Sequence, residues 1–218
     1  MFRRILQPLT GLMLLALPFS AQAQAYSFSD APVSQDRQLS LGFDFSTTSP
    51  ITISSLGYFD HLQDGFLTPH EVGIYDASGT LLTSTLLSAG IGDTLDGKFR
   101  YKEIVPFVLP AGQTFTLAAT TYGEQDAWAY GYRQGSRNHL ADFTTSPDIT
   151  ISNNATRYLY QDDNILRFPT FAQEYTVYAG PNFKGTFRPA GVPAPSALIT
   201  LFIGVIPGAI LLRRRRKA

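Results

Sequence analysis

The segment EVGIYDASGTLLTSTL, residues 71–86, decides the fold of this chain because it encodes a complete β-hairpin. Residues 71–75 have the length and apolar content of a short strand. The tetrapeptide Asp76-Ala77-Ser78-Gly79 is typical of a tight turn, in which Gly79 can adopt a positive φ without steric cost. Residues 80–86 then return as the second arm, so the segment predicts antiparallel pairing.

Outward from this hairpin, the chain continues as short strands separated by turns. Residues 51–59 begin with alternating apolar and polar side chains and stay extended. Further candidate strands lie at residues 99–108, 114–118, 128–132, 157–161 and 175–178, with a turn at 110–112. No long segment outside the two ends has an apolar period of 3.6 residues. The pattern predicts an all-β, antiparallel sandwich, jelly-roll-like, of about eight to ten strands.

The N-terminal 25 residues predict a secretory signal peptide rather than a retained anchor. Arg3 and Arg4 precede an apolar run at residues 9–19, which is short for a membrane span. Two overlapping A-x-A patterns follow, Ala21-Gln22-Ala23 and Ala23-Gln24-Ala25. Cleavage at these patterns would start the mature chain at Gln24 or at Tyr26.

The C-terminal segment predicts a membrane helix followed by a positive stop. Residues 196–212 carry no charge and would form a helix about 26 Å long, against a hydrocarbon core about 30 Å thick. Five basic residues follow and should remain on the cytoplasmic side. They are Arg213, Arg214, Arg215, Arg216 and Lys217. The body of the protein would therefore lie outside the membrane, with the last residues inside.

A proline-flanked motif precedes this helix, and it consists of Val192, Pro193, Ala194 and Pro195. The order of motif, apolar helix and terminal basic cluster resembles the PEP-CTERM sorting signal of exosortase substrates. That family typically has Val-Pro-Glu-Pro, and Ala194 stands here in place of the glutamate. The resemblance implies a bacterial envelope, the export translocon and an inner-membrane exosortase as partners, and removal of the helix after export.

A second resemblance covers the central region. The segments LGYFD, PHEVGIYDASGTLL, FRYKEI and LPAGQTFTLAA occur in this order within residues 56–119. They resemble a β-sandwich domain of unknown function that exported bacterial proteins with this kind of tail often carry. The resemblance implies a fold and no activity. We therefore divide the chain into a signal peptide (1–25), a β-sandwich domain (26–189) and a sorting signal (190–218).

The charge of the central domain differs from that of the whole chain, which has 17 basic and 17 acidic residues. Seven basic residues lie in the two terminal segments, whereas all the acidic residues lie between them, which gives the domain a net charge of −7. An acidic surface disfavours nucleic acid and anionic membranes as partners. The chain contains no cysteine, so disulfides, thiol catalysis and thiolate metal sites are excluded.

The strongest candidate for ligand binding is the segment AWAYGYRQ, residues 127–134. At a strand period of two, Trp128, Tyr130 and Tyr132 share one face. Such a row, if exposed, is a platform on which sugar rings can stack. The interpretation that we favour is that these rings pack in the core, with the tyrosine hydroxyls at its rim. Burial of Trp128 distinguishes the two interpretations.

Signals for metals and catalysis are weak. The histidines at 61, 70 and 139 lack the spacing of a zinc site, and no G-x-S-x-G or P-loop motif occurs. Pairing of Glu103 with Glu124 or Asp126 could serve a glycosidase, but an acidic domain offers many such pairs. Oxygen-rich loops at residues 59–65, 92–97 and 161–164 suit calcium weakly, and we favour solvated turns as their explanation. We therefore predict no metal, no cofactor and no enzymatic activity.

These observations predict an exported, exosortase-sorted protein of the cell surface or extracellular matrix, with a structural or interaction role. It would first be anchored in the inner membrane with its domain outside, and would then reach the surface or the medium. The alternative function is a carbohydrate-binding module of the envelope or exopolysaccharide matrix.

Overall fold

The structure is a computed structural model that describes residues 22–35, 37–122, 126–132, 140–173 and 176–187, without the side chains of residues 132, 152–154 and 176. The predicted signal peptide up to residue 21 and the predicted sorting signal from residue 190 lie outside these residues, as do Glu124 and His139. Within the described ranges, no helix is long and apolar enough to cross a bilayer.

Sixteen strands are formed by the described residues. They are β1 (Gln22–Gln24), β2 (Tyr26–Ser27), β3 (Val33–Ser34), β4 (Leu39–Thr47), β5 (Ile51–Phe59), β6 (His70–Asp76), β7 (Leu81–Leu87), β8 (Thr94–Asp96), β9 (Phe99–Leu109), β10 (Thr114–Thr121), β11 (Trp128–Tyr132), β12 (Thr144–Thr145), β13 (Ile149–Tyr160), β14 (Phe171–Gln173), β15 (Thr176–Ala179) and β16 (Pro181–Thr186). All ladders are antiparallel, which confirms the predicted all-β, antiparallel class. Several strands have only two or three residues, so the number of strands exceeds the eight to ten expected.

Two large sheets dominate the fold. One has the strand order β1-β16-β5-β9-β8, and the other has the order β14-β13-β4-β10-β6-β7. A three-stranded sheet, β15-β11-β3, and a two-stranded sheet, β12-β2, complete the described part. Neighbours in these sheets are often far apart in sequence, as for β4, which lies between β10 and β13.

The hairpin predicted from residues 71–86 is formed by β6 and β7, in which Val72 pairs with Thr85. Its turn is held by the Asp76 carboxylate, which accepts hydrogen bonds from the backbone N–H groups of Ser78 and Thr80, both at 2.9 Å. Gly79 has a φ of 83°, a conformation that L-residues other than glycine rarely adopt. Local turn chemistry therefore accounts for this hairpin.

Buried side chains of both large sheets belong to one hydrophobic cluster. Ile53 and Phe99 enter it from the five-stranded sheet, and Phe43 and Ile74 enter it from the six-stranded sheet. Tyr26 packs its ring edge-to-face against both phenylalanines, at centroid distances of 5.4 Å. A core this rich in aromatic rings supplies the burial that a domain without disulfides requires.

The register of β5 defines two opposite ends of the five-stranded sheet. Strand β5 finishes at Phe59, and the loop that follows leads back to β6; we call this the loop end. Strand β16 runs the other way, from Pro181 beside Tyr58 to Thr186 beside Thr52. The chain therefore leaves the last described strand at the end opposite the loop end, which we call the exit end.

Candidate functional site

An aromatic surface lies at the outer edge of the six-stranded sheet, on strands β13 and β14. Tyr158 pairs with Phe171 across these strands, and on the other side Tyr158 and Tyr160 pair with Leu41 and Leu39 of β4. Directly paired residues of antiparallel strands point to the same face. The three rings therefore share the face that carries the core leucines, but they lie beyond the edge of the core.

The rings of this surface, which we call the aromatic ledge (Tyr158, Tyr160 and Phe171), form a continuous array. Tyr158 stacks on Phe171 with a centroid distance of 5.5 Å and an interplanar angle of 25°, and it meets Tyr160 edge-to-face, also at 5.5 Å. Tyr160 is 53% exposed and Phe171 is 52% exposed. Exposed aromatic carbon at neighbouring positions is typical of a binding surface rather than of a solvated strand.

Polar groups border the aromatic ledge. The Arg37 guanidinium lies 5.2 Å from the centroid of the Tyr160 ring, and its Nη1 donates a hydrogen bond of 2.6 Å to the Tyr160 hydroxyl. Arg37, Gln38, Gln161 and Asp162 line an open groove of about 560 Å³ beside Tyr160. On the far side, the Tyr178 hydroxyl donates to Oε1 of Gln173 at 2.9 Å. An aromatic surface with amide, carboxylate and guanidinium groups at its rim suits a ligand that is apolar on one face and hydroxylated at its edge.

In the row predicted on β11, Trp128 lies in the interior. Trp128 is only 6% exposed and belongs to the main core cluster. Its ring meets Tyr178 edge-to-face at 4.7 Å and Tyr130 at 5.6 Å, while the side chain of Tyr132 lies outside the described residues. Tyr178 belongs to β15, so a part of the chain distant in sequence packs on the tryptophan ring.

Trp128 is nevertheless linked to the aromatic ledge. Tyr178, which contacts the Trp128 ring, also lies 6.2 Å from the ring of Tyr158. The buried tryptophan therefore supports the ledge through Tyr178 without presenting a face to solvent. Sequence reasoning predicted a strand at residues 157–161 but missed the ledge, because the cross-strand partner Phe171 carries no local signal of pairing.

The loop end contains a second group of polar side chains. His70 is fully buried, with its Nδ1 2.8 Å from the carbonyl oxygen of Thr120 and its Nε2 3.1 Å from Oδ2 of Asp126. Both partners are acceptors, so the imidazole donates to one of them when neutral and to both when protonated. The Tyr58 ring stacks on the imidazole of His70 in the core, with a centroid distance of 4.2 Å.

Asp126 is held by more than the histidine. Its carboxylate also accepts hydrogen bonds from the backbone N–H groups of Leu67 and Thr68, both at 2.9 Å. Burial by itself raises the pKa of Asp126, but the hydrogen bonds from His70, Leu67 and Thr68 outweigh it, so the pKa is lowered. Asp126 therefore ties the loop after β5 to the segment after β10 and is a structural carboxylate.

Arg100 organises the other side of the loop end. Its Nε donates to Oδ2 of Asp60 at 2.6 Å, and its Nη atoms donate to the carbonyl oxygens of Asp93 and Gln63, both at 3.1 Å. Gln63 has a φ of 61°, in the left-handed region. One buried guanidinium thus fixes two loops around a cavity of about 370 Å³ that Asp60 and Asp126 help to line.

The three oxygen-rich loops that suit calcium have carboxylates already paired with cations. Asp60 pairs with Arg100, Asp96 with Lys184 at 2.7 Å, and Asp163 with Arg167 at 2.6 Å. Hydrogen bonds from these cations lower the pKa of Asp96 and of Asp163. Among the described residues, no three histidine or acidic side chains converge in a way that could hold a metal ion.

The sorting motif at residues 192–195 and the basic cluster at residues 213–217 lie outside the described residues. The described part therefore offers an exposed aromatic surface with binding character, the aromatic ledge, and a buried polar cluster at the loop end. The sequence matches no family model, and no curated protein shows significant similarity to it.

Proposed function

We propose that this chain is an exported bacterial β-sandwich protein, jelly-roll-like in topology, that binds polysaccharide at the aromatic ledge. In this proposal an exosortase recognises the sorting signal at residues 190–218 after the signal peptide has directed export. The domain is first held at the inner membrane and then displayed at the cell surface or in the extracellular matrix. It binds glycan without cleaving it.

The observation that carries the proposal is the exposure of two neighbouring rings, Tyr160 and Phe171, around the less exposed Tyr158. The apolar C–H face of a pyranose packs favourably on an aromatic ring, and its hydroxyl groups need hydrogen-bond partners at the edge. The exposed Asp162 lies beside Tyr160, where its carboxylate can supply such a partner, while the Oε1 of Gln161 accepts a hydrogen bond from Ser40 at 3.0 Å. A ledge of adjacent rings suits a chain of sugars better than a single small molecule.

The net charge of the domain indicates which class of polysaccharide it can bind. With a net charge of −7 between the terminal segments, the domain repels strongly acidic chains. The nearest cation, Arg37, is engaged with Tyr160. We therefore propose neutral polysaccharide as the ligand class.

Binding without cleavage is supported by the state of the carboxylates that sequence analysis singled out. Asp126 is engaged by His70, Leu67 and Thr68, away from the ledge. Glu103 is exposed on β9, in the other large sheet. These two groups do not flank the ledge as a glycosidase pair would flank a sugar.

Affinity electrophoresis tests the binding proposal. Full-length protein is solubilised in a polyoxyethylene detergent, because sugar-headed detergents would compete, and is run through gels containing hydroxyethylcellulose, laminarin or alginate. We expect retardation by at least one of the two neutral polymers and none by alginate. Tyr160→Ala and Phe171→Ala should each weaken binding about tenfold, the loss of roughly one stacking contact.

Two controls make this test specific. Tyr160→Phe keeps the ring and should retain most of the binding, and Val108→Ala removes an exposed side chain of β9, away from the ledge, and should change nothing. Absence of retardation in every gel would reject glycan binding and favour an inert structural role. Equal binding by the alanine variants and the parent would reject the ledge as the site.

The sorting half of the proposal has its own test, which is mass spectrometry of the C-terminus of the protein recovered from its host envelope. We expect a C-terminus at or near residues 192–195, with the apolar segment removed. A mature protein that still carries residues 196–217 would contradict exosortase processing and leave the binding proposal unaffected.

A further inference from the structure

We infer that the exported chain is cut between Ala23 and Gln24, and not between Ala25 and Tyr26. This inference rests on the export proposed above. The sequence permits both cuts, since each follows an A-x-A pattern. A signal peptidase acts before the domain has folded, so the fold does not direct the cut, but a working exported protein must be the product that can complete the fold. The two products differ in this respect. The chain that begins at Gln24 loses the pairing of Gln22 and Ala23 with β16 but keeps the contacts of residues 24 and 25, whereas the chain that begins at Tyr26 loses all of them.

Tyr26 is a central residue of the core. Its side chain is 1% exposed, and its hydroxyl donates a hydrogen bond of 2.7 Å to the carbonyl oxygen of Pro181. Its own carbonyl oxygen accepts a hydrogen bond of 3.0 Å from Nδ2 of the buried Asn182. The hydroxyl and the carbonyl oxygen of Tyr26 are therefore both hydrogen-bonded to β16, and its backbone is shielded from water.

The backbone N–H and carbonyl oxygen of Ala25 are both hydrogen-bonded as well. Its N–H donates to the carbonyl oxygen of Phe183 at 2.9 Å, and its carbonyl oxygen accepts from the N–H of Ser146 at 2.9 Å. The Ser146 hydroxyl also donates to the carbonyl oxygen of Gln24 at 2.6 Å. These bonds connect the start of the chain to β16 and to the segment before β13, and a chain beginning at Tyr26 loses all three.

The chemistry of the cut adds an electrostatic argument. Hydrolysis adds water across the peptide bond, leaving a carboxylate on the released peptide and an ammonium group on the new first residue. A cut before Tyr26 would place this ammonium group on the backbone nitrogen of a residue that is only 1% exposed in the fold. Moving an ion from water into such surroundings is strongly unfavourable.

A cut before Gln24 avoids both problems. Gln24 belongs to β1, an edge strand of the five-stranded sheet, and is only partly buried, while Ala23 and Gln22 before it are exposed. The new ammonium group can therefore remain hydrated. Gln24 also keeps its side-chain hydrogen bond, in which Nε2 donates to the carbonyl oxygen of Asp96 at 3.0 Å. The Gln24 product thus retains the junction between the two edge strands β1 and β8.

Intact-mass and peptide mass spectrometry of the protein exported by a Gram-negative host test the inference. We expect the mature chain to begin at Gln24, either as glutamine or as the cyclised form that has lost ammonia. A mature chain beginning at Tyr26 would overturn the inference while leaving export intact. Recovery of only the uncut precursor, still carrying residues 1–23, would overturn the export proposal together with the inference.

A second experiment removes the dependence on the peptidase. The signal peptide is replaced by a tag whose protease leaves either Gln24 or Tyr26 as the first residue, with the rest of the chain unchanged. Urea unfolding in the same detergent should show a cooperative transition for the Gln24 form and a midpoint shifted to markedly lower urea for the Tyr26 form. Equal midpoints would overturn the inference, because the contacts of residues 24 and 25 would then contribute nothing.

Discussion

Nε2 of His70 lies 3.1 Å from the carboxylate of Asp126, in the interior of the protein and 56 residues apart in sequence. The pair joins the first residue of β6 to the segment that follows β10, and Tyr58 stacks on the imidazole from β5. Residues of both large sheets therefore meet at one buried polar contact. This contact holds the loop end and supports no proposed chemistry, so its removal should affect stability and spare glycan binding.

His70→Phe should destabilise the protein by about 2–4 kcal/mol, because it keeps an aromatic ring beside Tyr58 but leaves a buried carboxylate and a buried carbonyl oxygen without their partner. Urea unfolding followed by tryptophan fluorescence measures this loss. The same substitution at the exposed His61 is the matched control and should change stability by less than about 0.5 kcal/mol. Equal effects at the two histidines would contradict the structural role of the His70–Asp126 contact.

Stability should fall in acid through protonation of Asp126. The pKa of this carboxyl is lowered in the folded protein, since the hydrogen bonds from His70, Leu67 and Thr68 outweigh its burial. A group with a lowered folded pKa contributes fully above the unfolded pKa of about 3.9, and the contribution is lost as the pH falls through the folded value. Unfolding free energies measured from pH 6 down to about pH 3 should show this loss.

Asp126→Asn provides the comparison for that pH series. The variant should be less stable than the parent at neutral pH and should lose less stability on acidification, because one titrating carboxyl has been removed. Asp64→Asn, at an exposed position of the loop after β5 that contributes Leu67 and Thr68, is the matched control for this comparison. Parallel profiles for the parent and Asp126→Asn would show that other carboxyls dominate the acid response.

Arg100→Lys should destabilise the loop end by about 2–4 kcal/mol, although it preserves the charge. The ammonium group of a lysine cannot replace the planar guanidinium, which donates to Asp60 and to the carbonyl oxygens of Asp93 and Gln63 at once. Arg167→Lys, in an exposed pair with Asp163, should have no measurable effect. Thermal unfolding of the two variants compares a buried and an exposed arginine directly, and a similar shift in both would refute the special role of Arg100.

Gly42→Ala should prevent folding, whereas Gly92→Ala should be tolerated. A Cβ at Gly42 would overlap the carbonyl oxygen of Leu117 on the neighbouring strand β10, and β4 is paired on both sides and cannot move away. No atom lies within 4 Å of a Cβ at Gly92. The soluble yield and the far-ultraviolet circular dichroism of the two variants test this contrast. A folded Gly42→Ala protein would require a different register for β4.

Trp128→Ala should cost about 3–5 kcal/mol of stability, the range for truncating a large buried aromatic side chain. Tyr160→Ala should cost much less, because half of its side chain is already exposed. Any loss of glycan binding in Trp128→Ala should therefore accompany unfolding, whereas the loss in Tyr160→Ala should occur in a folded protein. Calorimetry and affinity electrophoresis on the same samples distinguish these two causes.

Much of the secondary structure was predictable from local patterns. The hairpin of β6 and β7 follows from an apolar arm, the Asp76–Gly79 turn and a return arm, all within 18 residues. The bounds predicted for residues 51–59 match β5. Two long strands were missed. Strand β4 has apolar residues at alternate positions that sequence analysis did not use, and β16 begins at a proline, which weakens a strand signal.

Local sequence patterns could not predict which strands pair with one another. The turn at residues 110–112 was predicted, and Gly112 has a φ of 72°, yet β9 and β10 on its two sides belong to different sheets. A turn reverses or redirects the chain in the same way whether the next strand pairs beside the last or crosses to the other sheet. The choice depends on which distant strand buries the apolar face.

The sequence by itself determined that this chain is an antiparallel all-β protein, because alternation of side chains and turn-forming residues act over a few neighbouring positions. Only the tertiary structure decided which aromatic rings face water. Trp128 and Tyr160 both lie in strands that the sequence predicted, but the tryptophan is covered by β15, whereas the tyrosine extends past the edge of the core. Burial is set by segments far away in the sequence, so no local pattern can assign it.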